Sequence, residues 1–369
     1  ALFKKLGFFT LVSRLQTHHA HKAEPAQAAL VEAASVTSAS AADAAKLEKE
    51  KTIAYAWDGA HLDMAAEKGA PRRFSLQSAK AILENPRIAK AGYDTKQLQK
   101  ACIAAGISPA GFSHDVLIAA YLLSPGEREY PLHRVMLEEE VLGALPHALF
   151  ALKEKLEDKL RKEGLWKVFH EIEMPLVPVL AEMELAGIKV DIQKLKALSQ
   201  KLELEKEDLK QKIWKLAGGE FNLDSPLQLS EVLFVRLGLR KEGRMKKTKT
   251  GMVSTRAGEL EKLTGAHPIV PEILRWRELA KLKSTFVDAL LEVVREDGRV
   301  HTAYSQTGTA TGRLASSEPN LQNIPQKGDI AREIRRAFVA DDGFSLVSFD
   351  LSQIELRIVA SLAGDRAFI

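Results

Sequence analysis

From Leu149 to Gly187, and again from Lys194 to Leu216, apolar residues recur with the period of a helix. A third such run covers about Pro271 to Glu292. There Leu279, Leu282, Phe286 and Leu290 form a stripe opposite Arg277, Lys281 and Ser284. Past Glu292 the pattern turns extended. Val300 to Gln306 predicts one strand and Ser345 to Phe349 another, with a Gly- and Thr-rich turn after the first. A helical pattern does not settle as a strand, so the second half of the chain is expected to pass from helices to extended segments. Gly218-Gly219 supplies the stop for the second helical run, because glycine takes the left-handed backbone that closes a helix.

The first half reads differently. Thr52 to Trp57 predicts a strand, and helical patterns follow at Leu76–Leu83, Thr95–Ala105 and Asp115–Leu123. Residues 51 to about 165 are therefore expected as a compact α/β unit. From 16 to 50 the composition is Ala, Ser, Thr and His with few large apolar side chains. Such a stretch buries too little surface to offset its ordering entropy, which predicts a flexible Ala-rich linker. Ahead of it, Leu2, Phe3, Leu6, Phe9 and Val12 share one helix face within residues 1–15.

With 369 residues the chain is long enough for two or three domains with cores of their own. Cys102 is the only cysteine, which excludes an internal disulfide or a cysteine-cage metal site and suits a reducing cytoplasm. No apolar run is long enough to cross a bilayer, so no membrane role is expected. Ala1 stands where a Met would start a chain and no signal-like segment follows it, so the opening reads as the middle of a larger protein. A net charge of +4 says little about nucleic acid. The distribution says more: Leu239 to Gly251 holds Arg240, Lys241, Arg244, Lys246, Lys247 and Lys249 against Glu242 alone.

The most informative stretch is Ser345-Leu346-Val347-Ser348-Phe349-Asp350-Leu351-Ser352-Gln353-Ile354-Glu355-Leu356-Arg357. An apolar strand ends in an aspartate and a helix opens two residues on. Ser352 with Glu355 makes a capping box, and Ile354, Ile358, Val359 and Leu362 supply a buried face. A carboxylate at the end of a buried strand can hold a divalent metal rigidly, as phosphoryl transfer requires. The plainer alternative is a strand end followed by a helix cap, since one carboxylate is not a metal site.

Asp350 to Arg357 resembles motif A of the family A DNA polymerases, and Thr309-Ala310-Thr311-Gly312-Arg313-Leu314-Ala315-Ser316-Ser317-Glu318-Pro319-Asn320-Leu321-Gln322-Asn323-Ile324-Pro325 resembles the signature that precedes it. Phe221 to Leu229 and Glu173 to Leu180 are similar to further segments of that family. The resemblance implies an α/β multidomain chain: a vestigial RNase H-like 3′–5′ exonuclease domain, then a helical thumb and the first part of an α+β palm. Residues 1–15 would be the tail of a 5′ nuclease domain, 16–50 the linker and 51–165 the exonuclease-like domain. The polymerase domain would run over 166–369, with the thumb at about 189–292 and the palm part at about 293–369.

The implied activity is template-directed addition of deoxynucleotides to a primer 3′ end, in replication and repair. The implied partners are primer–template DNA and deoxynucleoside triphosphates, with two Mg²⁺ ions as cofactors and a monomer as the assembly. Asp350 and the main-chain carbonyl of Leu351 would be metal ligands. Glu355 and Gln353 would line the nucleotide pocket, and Asp350 and Glu355 would be the catalytic residues. Arg313, Asn320, Gln322 and Asn323 would touch the duplex near the primer end. Arg277, Lys281, Ser284 and Thr285 would grip phosphates, together with Lys246, Lys247 and Lys249 at the thumb tip. Phosphate contacts of that kind set register without reading sequence.

Several positions depart from the family pattern. Leu351 replaces a tyrosine, Ala315 a serine, and Met252 and Ser305 stand where a lysine and an asparagine are expected. The chain ends before the segment expected to hold the fingers helix and a second catalytic aspartate, so alone it is not expected to polymerise. Ala91 to Lys96 and Asp115 to Leu123 resemble the exonuclease domain, whose chemistry takes an Asp-x-Glu, a central Asp and a Tyr-x-x-x-Asp. No Asp-x-Glu lies near the opening strand, Leu98 stands where the central aspartate belongs, and Asp94 and Asp115 read as capping or surface residues. An inactive scaffold is expected. The alternatives are a non-catalytic DNA-binding fragment and an active 3′–5′ exonuclease.

Overall fold

The computed structural model describes residues 36–239, 252–364 and 367. Residues 1–15, the linker up to 35, and Lys246, Lys247 and Lys249 lie outside the described residues. Two compact units result. One joins the residues up to Gly187 to Thr302–Gln322, and the other joins Ile188–His301 to the residues from Asn323 onward.

The first unit is built on a six-stranded sheet. Its strands are β1 (Thr37–Ser38), β2 (Thr52–Trp57), β3 (Leu62–Ala66), β4 (Arg72–Phe74), β5 (Ala89–Gly92) and β6 (Phe112–Asp115), in the spatial order β1-β4-β3-β2-β5-β6. β2, β3 and β4 form an antiparallel meander, and β5 and β6 continue parallel to β2. Both faces are covered. Ile53 and Tyr55 of β2 pack with Leu62, Met64, Leu98 and Cys102, while Ala54 between them packs with Val116, Leu149, Leu156 and Phe169. Strands buried on both sides read as continuous apolar runs, as β2 does.

Residues 36–50, expected as the end of a flexible linker, are instead part of this unit. β1 pairs in parallel with β4, and the helix Ala41–Leu47 follows it. Ser40 and Asp43 form a reciprocal capping box, and Leu47 reaches the core. A short edge strand and a capped two-turn helix need one anchoring apolar side chain, so a small-residue composition suffices.

The unit continues through the helices Ala148–Lys162 and Met174–Ala186, past the boundary at about 165 expected from sequence. It also takes in the antiparallel ribbon of Ala303–Ser305 and Ala315–Ser317. The strand expected over Val300–Gln306 is thus broken at His301–Thr302.

The second unit rests on the 26-residue helix Ile192–Ala217. Asp191 caps its first turn by accepting from the Lys194 N–H at 3.0 Å, and Gly218 ends it at φ +71°. Against it lies the helix Ile269–Leu282, continued by a π turn over Lys283–Asp288 and by Ala289–Val293. Their shared core includes Ile213, Leu229, Leu233, Ile269, Ile273 and Trp276. Leu279 and Leu290 are buried and Lys281 and Ser284 exposed, as the sequence stripe requires.

One expectation fails here. Ser345–Phe349 is not a strand, and Phe349 is 94% exposed. A strand needs a hydrogen-bonded neighbour, and no strand among the described residues pairs with this segment. The helix after it begins at Ile354 with Gln353 as N-cap, so the Ser352–Glu355 capping box does not form. Ile354, Ile358, Val359 and Leu362 are exposed rather than buried.

Candidate nucleic-acid site

The candidate residues fall into three groups. The first lies on the helical unit. Arg277, Lys281, Ser284 and Thr285 line one cleft of about 330 Å³ with Leu223, Asp224 and Trp276. The helical spacing puts Arg277, Lys281 and Ser284 on one face. Arg277 is held there by donating to the carbonyl and hydroxyl of Thr255, and its partial burial lowers the guanidinium pKa from its ordinary value. The Ser284 hydroxyl donates to the Ala280 carbonyl at 2.8 Å, leaving its lone pairs and a half-open cleft between two cations. Thr255 and Trp276 are unmarked in the sequence, because a threonine after a loop and a tryptophan on a core stripe carry no functional signature.

The second group stands on the ribbon of the first unit. Gln322 donates to the Leu314 carbonyl at 2.9 Å and accepts from the Ser316 N–H at 3.2 Å. Asn320 accepts from the Gln322 N–H at 3.0 Å. Both amides therefore brace the loop on which exposed Arg313 stands. Asn323 is exposed and falls in the other unit.

The third group, Asp350, Leu351, Gln353 and Glu355, lies in one exposed segment. Among the described residues no three His, Cys, Asp or Glu side chains come together as a metal site. Asp350 and the Leu351 carbonyl do not by themselves make a site for two ions.

Around Leu98, where the resemblance expects the central aspartate, the neighbours are apolar. Leu98 is fully buried with Tyr55 and Cys102. The Tyr55 ring lies so close to Gly92 that a Cβ there would fall 2.2 Å from it. Asp115 is occupied as a cap: it accepts from the N–H groups of Asp94, Thr95 and Leu117 and from the Thr95 hydroxyl. Asp94 is the N-cap residue of the helix Thr95–Ala104, at φ +51°, but its side chain makes no capping bond.

Burial, then the nearby Asp115 carboxylate, push the Asp94 carboxyl up from 3.8 to about 6. The folded state therefore holds this proton more tightly than the unfolded chain, and stability falls as pH rises from about 4 to 6. Asparagine tolerates the left-handed backbone. Asp94→Asn is expected to stabilise the protein by about 1–3 kcal/mol at pH 7.5 and by nothing at pH 4, in urea denaturation at the two pH values. Equal effects at both would contradict the assignment.

A two-faced α/β sheet unit is thus joined in one chain to a helical unit with a cleft lined by Arg277 and Lys281. Residues 49–142 match the family described as DNA polymerase I, ribonuclease H-like domain, and residues 192–369 match DNA polymerase family A. DNA polymerase I of Bacillus subtilis is 36% identical over 409 residues, covering 100% of this chain and 46% of that protein. The thermostable DNA polymerase I of Thermus thermophilus is 47% identical over 261 residues, covering 69% of this chain and 31% of that protein. Among solved structures, the POL domain of Pol1 from M. smegmatis in complex with DNA primer–template and dNTP superposes with a TM-score of 0.79 at 31% identity, covering 90% of this chain and 64% of that one. The chain belongs to the family A DNA polymerases. It spans less than half the length of these curated relatives.

Proposed function

We propose that the chain is the part of a DNA-directed DNA polymerase that grips primer–template DNA and presents the motif aspartate, in an enzyme that adds deoxynucleotides to a primer 3′ end during replication and repair. The observation that carries this reading is the cleft in which Arg277, Lys281, Ser284 and Thr285 converge. Two cations and two hydroxyls on one helix face suit backbone phosphates, which every sequence presents alike. The solved relative that carries primer–template and dNTP supports the same partners. Arg313, Asn320, Gln322 and Asn323 would meet the duplex from its minor groove, where base pairs present nearly the same acceptors. Asp350 and the Leu351 carbonyl would belong to a site for two Mg²⁺ ions completed by ligands outside the described residues, with Gln353 and Glu355 beside the incoming nucleotide. Lys246, Lys247 and Lys249 would extend the phosphate grip. The first unit would not cut DNA, since a buried leucine occupies the position of the central carboxylate.

Lys281→Ala tests the phosphate role. Primer–template affinity is expected to fall about three- to tenfold, alike on any sequence, with the slope of log K against log salt reduced by about one. Fluorescence anisotropy from low to moderate salt reads both quantities. An unchanged slope would remove Lys281 from the phosphate contacts and weaken the reading.

A further inference from the structure

The ribbon Ala303–Ser305/Ala315–Ser317 carries the loop that ends in Arg313, and the loop is fixed by the RNase H-like fold. Tyr121, on the helix Val116–Leu123, is 2% exposed. Its hydroxyl donates to the Thr309 carbonyl at 2.9 Å and accepts from the Gly312 N–H at 3.1 Å. The Thr309 hydroxyl in turn donates to the Arg313 carbonyl at 2.7 Å. Gly312 lies at φ +79°, a backbone that side chains rarely adopt. At the foot of the ribbon, Glu184 accepts from the Tyr304 N–H at 2.8 Å, and the Gln306 amide donates to Glu173 at 2.6 Å. The turn immediately before Arg313 is thus closed on a single phenol.

A buried tyrosine in an apolar helix must find partners for its hydroxyl. Here both partners are main-chain groups of that loop, whereas the ring packs with the Tyr130 ring edge-on at 5.9 Å. Phenylalanine would serve the ring packing equally well. We infer that Tyr121 is a positioning residue for the DNA contact of Arg313, and that the exonuclease-like fold serves as the mount for that contact. The inference rests on the proposed role of Arg313. Its physical basis is preorganisation: a loop already ordered in its binding geometry loses less entropy when DNA arrives.

The test is a double-mutant cycle in the gene's complete product, reading the dissociation constant for fluorescein-labelled primer–template DNA and the melting temperature. Arg313→Ala is expected to weaken binding about tenfold and Tyr121→Phe about fivefold, with a small change in melting temperature. In the Arg313→Ala background, Tyr121→Phe is expected to add little, because the Thr309–Gly312 turn that Tyr121 holds then has no Arg313 contact to position. Thr309→Val, which removes the hydroxyl bond to the Arg313 carbonyl but keeps the Thr309 carbonyl that Tyr121 meets, is expected to reproduce the effect of Tyr121→Phe in weaker form. If Arg313→Ala weakens binding while Tyr121→Phe and Thr309→Val do not, or if the effects multiply independently, the positioning role is overturned and the DNA contact stands. If Arg313→Ala leaves affinity unchanged, the DNA contact itself falls, and the inference with it.

Discussion

Glu184→Ala is expected to destabilise the first unit by about 3–5 kcal/mol, measured as a shift in urea denaturation. The Glu184 side chain is 2% exposed and accepts from Lys96 at 2.6 Å and Lys100 at 2.5 Å. It also accepts the Tyr304 N–H, while Lys96 donates to the Tyr304 carbonyl. One carboxylate therefore joins the helix Thr95–Ala104, the helix Met174–Ala186 and the ribbon at Tyr304. Removing it leaves two half-buried ammonium groups without their carboxylate, and an uncompensated, partly buried charge costs more than the pair contributes. Burial pushes the Glu184 carboxyl up, but Lys100, Lys96 and the Tyr304 N–H outweigh it and hold it below its ordinary value. Its contribution is thus present at neutral pH and is lost as pH falls through the depressed folded pKa. A denaturation midpoint for Glu184→Ala within error of wild type at pH 7.5 would refute this role.

Much of the architecture is legible in the residues themselves. β2 occupies Thr52–Trp57 because its apolar run is bounded by charged and turn residues, and Gly218 stops the long helix at its expected place. The cleft residues on Ile269–Leu282 follow from helical spacing alone. What escapes the sequence depends on distant partners. Nothing near Tyr121 in the chain signals that its hydroxyl meets Thr309 and Gly312, 188 and 191 residues away. The edge strand β1 is hidden in a small-residue stretch because its pairing with Arg72 and Arg73 is backbone-only. Conversely, Ser345–Phe349 has a strand's composition but remains unpaired, since alternation specifies a strand only where a neighbour receives it.

Asp350→Ala carries the largest expected effect on activity. In the proposed reaction the primer 3′-hydroxyl attacks the α-phosphorus of the incoming deoxynucleoside triphosphate, the α–β P–O bond breaks and pyrophosphate leaves, and charge on the reacting phosphoryl group must be neutralised. A carboxylate that anchors a divalent ion supports several kcal/mol of that stabilisation. Its loss is therefore worth at least about a thousandfold in rate. Asp350 is exposed, in a segment that no strand among the described residues pairs with, so the substitution should leave the melting temperature unchanged. The direct measurement is primer extension by the gene's complete product, wild type beside Asp350→Ala, with Mg²⁺ and all four deoxynucleotides. Extension by the wild type that disappears in Asp350→Ala is the predicted result; equal extension by both, or none by the wild type, would contradict the polymerase assignment of this motif.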